Sequence, residues 1–135
     1  MSKSLIILGS TGSIGRQALD VVDWFPEELN VVGLAAGSHV DLLAEQVKKY
    51  QPQVVAIARK ECYLPLKEKL TNFKGDILAG PEGIEAVASM TAGDTVLAAI
   101  SGVAGLKPVV AAIQAGKEIA LANKETLVAA GFYVT

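Results

Sequence analysis

Gly9, Gly12 and Gly15, spaced by three, follow the apolar run Leu5-Ile6-Ile7-Leu8, with Ser10, Thr11, Ser13 and Ile14 between them. Residues of this type act through their main chain. Glycine lets the backbone approach a ligand closely, and an amphipathic stretch begins at once, so the free N–H groups and positive dipole end of a helix meet the turn. A pyrophosphate suits such a site. The pattern G-x-x-G-x-x-G is one residue longer in its first gap than the dinucleotide fingerprint G-x-G-x-x-G. It is not a P-loop. Ile14-Gly15-Arg16 stands where that motif needs Gly-Lys-Ser/Thr, so no lysine cradles a terminal phosphate and no hydroxyl is set for Mg²⁺.

A second chemical segment is Asn123-Lys124-Glu125. Asn123 suits a helix N-cap and Glu125 suits a first turn. Lys124 does not, because a cation there faces the positive dipole end at a cost of ~0.3 kcal/mol or more. Either Lys124 points to solvent or it meets an anion, for which a phosphorylated substrate is suitable. A third segment, Ala35-Ala36-Gly37-Ser38-His39, ends an apolar run without the Asp or Glu that accepts the ribose 2′-hydroxyl of NAD. Donors such as Ser38 and His39 favour NADP there; the plain alternative is a turn with a solvated histidine. His39 is the only histidine, so no His-based triad or His-rich metal site can be built. The lone Cys62 makes no internal disulfide, has no sequence-local base, and reads as structural in a reducing compartment.

These segments need elements to hold them. After the first turn, Ile14, Ala18, Val22 and Phe25 recur at helical spacing, with Arg16, Gln17, Asp20 and Asp23 opposite. Pro26–Asn30 reads as a turn and Val31–Ala36 as a strand. A helix follows over Asp41–Tyr50, with Leu42, Leu43 and Val47 inward. Further strands are expected at Val54–Ala58, Asp76–Ala79, Thr95–Ile100 and Glu118–Ala122. Helices are expected at Glu61–Leu70 (Leu64, Leu66 and Leu70 apolar), from Pro81 to about Met90, over Gly105–Ala115, and from about Lys124 after the Asn123 cap. Strict alternation implies right-handed crossovers and an α/β, doubly wound parallel sheet, Rossmann-like. Ligands of such sheets bind at the carboxyl ends of the strands. That singles out Gly9–Gly15, Ala36–His39, Ala58–Lys60, Ser101–Gly105 and Asn123–Glu125.

Composition agrees. The 135 residues suit one domain; 51% are hydrophobic and only 19% charged, as strands covered on both faces require. A net charge of −2 and 5% aromatics supply neither a basic field nor stacking platforms, so no nucleic acid partner is expected. No apolar run reaches the ~18 residues of a membrane span, and Met1-Ser2-Lys3-Ser4 leaves no room for a signal peptide.

Gly9-Ser-Thr-Gly-Ser-Ile-Gly15 with Ala18-Leu-Asp-Val-Val22, Ala99-Ile-Ser-Gly-Val-Ala-Gly-Leu106, and Leu121-Ala-Asn-Lys-Glu-Thr-Leu-Val128 together resemble the N-terminus of the 1-deoxy-D-xylulose 5-phosphate reductoisomerases. The resemblance covers the whole chain. It implies that residues 1–135 are the N-terminal NADPH-binding domain of an enzyme that rearranges and reduces 1-deoxy-D-xylulose 5-phosphate to 2-C-methyl-D-erythritol 4-phosphate. That reaction is an early step of non-mevalonate isoprenoid synthesis and uses a divalent metal, Mg or Mn. Thr11, Gly12, Ser13 and Ile14 would hold the pyrophosphate side of the cofactor. Gly37 and His39 would lie by the adenosine ribose phosphate, although the family often has Asn where His39 stands. Asn123 and Glu125 would contact NADPH, and Lys124 the substrate. Metal ligands, a closing loop and a C-terminal helical domain lie beyond the matched region in the family, so the chain alone is expected to be inactive. The full-length family implies a homodimer in the bacterial cytoplasm or the plastid stroma. Two other readings stand beside this one: a free-standing nucleotide-binding or regulatory module, and another NADP-dependent reductase such as a semialdehyde dehydrogenase relative, whose catalytic cysteine would not fall at Cys62.

Overall fold

The computed structural model describes residues 2–100 and 106–121. In chain order the elements are β1 (Lys3–Leu8), α1 (Ser13–Trp24), β2 (Leu29–Ala36), α2 (Val40–Tyr50), β3 (Val54–Ile57), α3 (Tyr63–Lys69), β4 (Asp76–Ala79), α4 (Gly80–Ala88), β5 (Thr95–Ala98), α5 (Leu106–Gln114) and β6 (Glu118–Leu121). The six strands form one sheet in the order β4-β3-β2-β1-β5-β6, every pair parallel. The doubly wound, Rossmann-like sheet expected from the alternation is therefore present. The strand order reverses beside β1, where the chain, having built outward to β4, returns to lay β5 on the other side.

β1 shows why the apolar runs are unbroken. Leu5 and Ile7 join a core with Ala18, Leu19 and Val22 of α1, Leu43 and Val47 of α2, and Leu66 of α3. Ile6 and Leu8 join a second core with Ile84 and Val87 of α4 and Ala112 of α5. All four are fully buried, each contributing roughly 1.5–3 kcal/mol by leaving water. β2 has one residue more than β1 over their shared length. Leu5 pairs with Val31 but Ile6 with Gly33. At this bulge Val32 enters the second core, and Leu34 resumes the first.

Several boundaries differ from expectation, among them the end of β5 at Ala98 rather than Ile100. Leu29 and Asn30 belong to β2 rather than to a turn, because Leu29 is a core side chain, 2% exposed. Lys60–Cys62 form a short 3-10 turn before α3; within α3 Leu64 lies two residues, about 200°, from Leu66 and is 65% exposed, while Leu66 and Leu70 are buried. Pro65 lies in the first turn of α3, where its missing N–H is harmless. α4 ends at Ala88, and α2 ends where Gln51 adopts φ 49° just before Pro52.

Away from the carboxyl edge, α1 and α2 are clipped together by polar groups. The Tyr50 hydroxyl donates to Asp23 Oδ1 at 2.8 Å, and Lys49 Nζ donates to Asp23 Oδ2 at 2.8 Å. Burial, then the bond to Asp23, pushes the Tyr50 phenol from 10.0 up to about 12. Between those pH values the folded chain keeps a proton that the unfolded chain has released, so stability falls as pH rises across the window. Tyr50→Phe is expected to lower stability by about 1 kcal/mol near neutral pH. Denaturant melts at stepped alkaline pH should then show a shallower loss for the variant than for the parent between pH 10 and about 12. Equal slopes would remove Tyr50 as the cause.

Candidate functional site

Gly9 leaves β1 with φ +89°. Its N–H and that of Ser10 both donate to the Ala35 carbonyl of β2, at 2.7 and 3.0 Å. A Cβ on Gly9 would stand 2.8 Å from the Ala99 carbonyl oxygen, just after β5. The turn thus fills the switch point between β1 and β5, the position where open parallel sheets take ligands.

The three glycines answer to different constraints. A Cβ on Gly15 would overlap the Gly9 carbonyl oxygen and come within 2.7 Å of Ser10 Cα, so α1 begins in backbone contact with the turn. Gly12, by contrast, is the exposed N-cap of α1 with φ −76° and ψ 173°, and a Cβ there meets only the Gly9 oxygen at 3.7 Å. The protein places no steric demand on position 12; the open space lies on the solvent side. α1 has no side-chain cap bond and no acidic residue in its first turn. Its first N–H groups, those of Ser13 and Ile14, lack intrahelical acceptors by geometry, and the dipole end is left positive. Thr11 to Ile14 thereby form one contiguous rim at the N-terminus of α1.

Gly37, Ser38 and His39 end β2 next to this rim and are exposed. Ala58 N–H donates to Ala36 O at 2.8 Å and Arg59 N–H to Gly37 O at 3.1 Å, which joins the loop after β3 to the loop after β2. Neither loop carries a carboxylate from Gly37 to His39 or from Ala58 to Lys60. Lys60 pairs with Glu82 at 3.8 Å, whereas exposed Arg59 has no ion pair among the described residues. Cys62 is partly buried against the first core with its Sγ 3.8 Å from Ser38 O, as a structural cysteine would be.

Sequence reasoning flagged Arg59 only as part of a strand end, and it missed Gln46 altogether. Gln46 of α2 donates a 2.8 Å hydrogen bond to the Ser10 carbonyl. Its one signal was a polar residue on the inward stripe shared with Leu43, Val47 and Tyr50. Asn123, Lys124, Glu125 and Ser101–Gly105 lie outside the described residues. Among the described residues no three His, Cys, Asp or Glu side chains group as metal ligands. An open concavity of about 700 Å³ lies elsewhere, between α3 and β4, lined by Tyr63, Leu64, Phe73 and Ile77 among others. It reaches the entry side of the edge strand and includes no residue of the glycine turn.

Sheet order, switch point and glycine turn define a Rossmann-like domain. The chain belongs to the 1-deoxy-D-xylulose 5-phosphate reductoisomerase family, whose profile matches residues 5–131. A reductoisomerase of that name from Desulforamulus reducens is 56% identical over 137 aligned positions, covering 100% of this chain and 35% of the relative. A chloroplastic one from Oryza sativa is 52% identical, covering 98% of this chain and 28% of the relative. A solved reductoisomerase from Zymomonas mobilis in complex with NADPH is similar at TM-score 0.85 and 39% identity, over 96% of this chain and 34% of that one. Another, solved with NADPH, fosmidomycin and magnesium, has TM-score 0.85 and 41% identity, over 93% and 31% of the two chains. The chain spans about a third of the length of the curated relatives it matches.

The glycine geometry gives a stability contrast. Gly15→Ala forces backbone against backbone and is expected to cost about 2–3 kcal/mol. Gly12→Ala exchanges one N-cap for a poorer one at under ~1 kcal/mol. Thermal unfolding should therefore show a drop several times larger for Gly15→Ala. Equal drops would contradict the packing described for α1.

Proposed function

We propose that this chain is the N-terminal, NADPH-binding part of an enzyme converting 1-deoxy-D-xylulose 5-phosphate to 2-C-methyl-D-erythritol 4-phosphate. The observation that carries this reading is the glycine turn. Gly9 and Gly15 are required by the packing of the protein itself, and Gly12 only by whatever approaches from outside. In this reading Thr11, Gly12, Ser13 and Ile14 hold the pyrophosphate through backbone N–H groups and the end of α1. Gly37 and His39 border the adenosine ribose, and Arg59 supplies a cation for its 2′-phosphate, beside a strand that ends without an acid. Asn123 and Glu125 contact the nicotinamide side of the cofactor, and Lys124 holds the substrate.

When bound, NADPH supplies the hydride that reduces the rearranged sugar. A divalent metal held by other parts of the enzyme, and a homodimeric assembly, complete the activity. Similar reductoisomerases solved with NADPH, and with NADPH and magnesium together, support the cofactor and the metal. Bacterial and chloroplastic relatives support a bacterial cytoplasm or a plastid stroma as the compartment. No helix among the described residues is long and apolar enough to cross a membrane.

Titration of the chain with NADPH and NADH, followed by nicotinamide fluorescence, tests the cofactor. Preferential binding of NADPH is expected, and binding of neither overturns the reading. Arg59→Gln should weaken NADPH about tenfold, as for loss of one charge-assisted bond, and leave NADH unchanged. An equal loss for both cofactors would remove the 2′-phosphate role. In a protein of the relatives' full length, Lys124→Ala should impair turnover or raise the substrate KM while sparing NADPH affinity; unchanged kinetic constants would remove Lys124 from the substrate site.

A further inference from the structure

We infer that Gln46 is a positioning residue for the phosphate turn, an inference that rests on the NADPH reading above. Gln46 sits in the middle of α2, between Leu43 and Val47 on the inward face, and is only 6% exposed. Its Nε2–H donates to the Ser10 carbonyl oxygen at 2.8 Å, a buried bond spanning 36 positions. Its own Oε1 and the Ser10 Oγ are buried with no hydrogen-bond partner among the described residues. For stability alone this is a poor arrangement. Orphaned buried polar atoms cost about as much as one neutral hydrogen bond returns, and an apolar side chain would fill the same space.

What the bond does is orient a peptide plane. A trans peptide is planar, and its C=O and the following N–H point in opposite directions. Drawing the Ser10 carbonyl toward α2 turns the Thr11 N–H away from α2. Thr11 N–H has no acceptor among the described residues. It leads directly into Gly12, where a side chain would find open space. The turn is otherwise held by Ser10 N–H on Ala35 O and by a 3.3 Å bond from Gly12 N–H to Gly9 O, neither of which uses the Ser10 carbonyl or the Thr11 N–H of the central plane. Freed from Gln46, the plane can rotate and present its carbonyl oxygen, instead of an N–H, to an incoming phosphate. Gln46 therefore keeps a negative dipole end out of the anion site and holds a donor in it, without touching the ligand.

The test pairs Gln46→Met, which keeps length and removes the donor, with Gln46→Glu, which keeps shape and cannot donate when ionised. NADPH affinity, thermal unfolding and the ¹⁵N–¹H amide signal of Thr11 are read for each in this chain. Expected are an affinity loss of about tenfold for Gln46→Met and a larger one for Gln46→Glu. The Thr11 amide signal should be displaced in both free proteins, and the Tm of Gln46→Met should change by less than about 4 °C, whereas the buried carboxylate of Gln46→Glu lowers it further. Parental NADPH affinity in both variants overturns the inference. So does a large Tm loss with unchanged affinity of the folded fraction, which marks a purely structural role. If the parent itself bound no NADPH, the cofactor reading would fall on its own. The Thr11 signal of the free protein would still decide the orienting role, and an undisplaced signal would end it.

Discussion

The start of α1 lies against the end of β1 with no side chain between them, Gly15 on the Gly9 carbonyl. That backbone contact fixes where the helix points. With α1 seated there, Ala18, Leu19 and Val22 follow in register onto Leu5, Ile7 and their neighbours. The same seating leaves the uncapped first turn facing the gap between β1 and β5. Packing and ligand access thus come from one geometric fact, and neither can be altered alone at position 15. Gly12, one turn-width away, is free of this constraint, because a Cβ there would meet only the Gly9 oxygen at 3.7 Å.

The electrostatics have a matching polarity. At the entry edge of the sheet, the Asp94 carboxylate accepts the Ser4 N–H at 3.1 and 3.2 Å and the Thr95 hydroxyl at 3.0 Å, and Glu118 pairs with Lys3 at 3.0 Å. At the exit edge of β1, β2 and β3 the loops carry no acid over Gly9–Gly15, Gly37–His39 and Ala58–Lys60. Acids at the entry edge serve local hydrogen bonding. In those three stretches the dipole end of α1 meets no acid, the nearest on this edge being Asp41, Glu61 and Glu82 just outside them.

Much of this was legible because a parallel sheet covered on both faces writes its strands as plain apolar runs, and Leu5–Leu8 is the clearest. The rim from Thr11 to Ile14 was legible because it is contiguous. What could not be read was anything created by chain reversal. Val32-Gly33 looks like uninterrupted strand, and only pairing with β1 exposes the extra residue. Gln46 and Arg59 come beside the glycine turn and the end of β2 solely because α2 and the loop after β3 fold back to positions 10 and 37.

β1 has one neighbour close in sequence and one far away: Leu5 faces Val31 on one side and Thr95 on the other. As the chain emerges, β1 to β4 and their helices can assemble while one side of the central strand is still bare. A long, fully apolar edge of this kind pairs readily with other chains. The pairing that closes it is also the pairing that brings Ala99 against Gly9 and completes the floor of the turn. Loop closure over such a distance is slow relative to the local steps. The interval before β5 docks is therefore when the newly made chain is most exposed to misassembly, and the glycine turn is one of the last features to be finished.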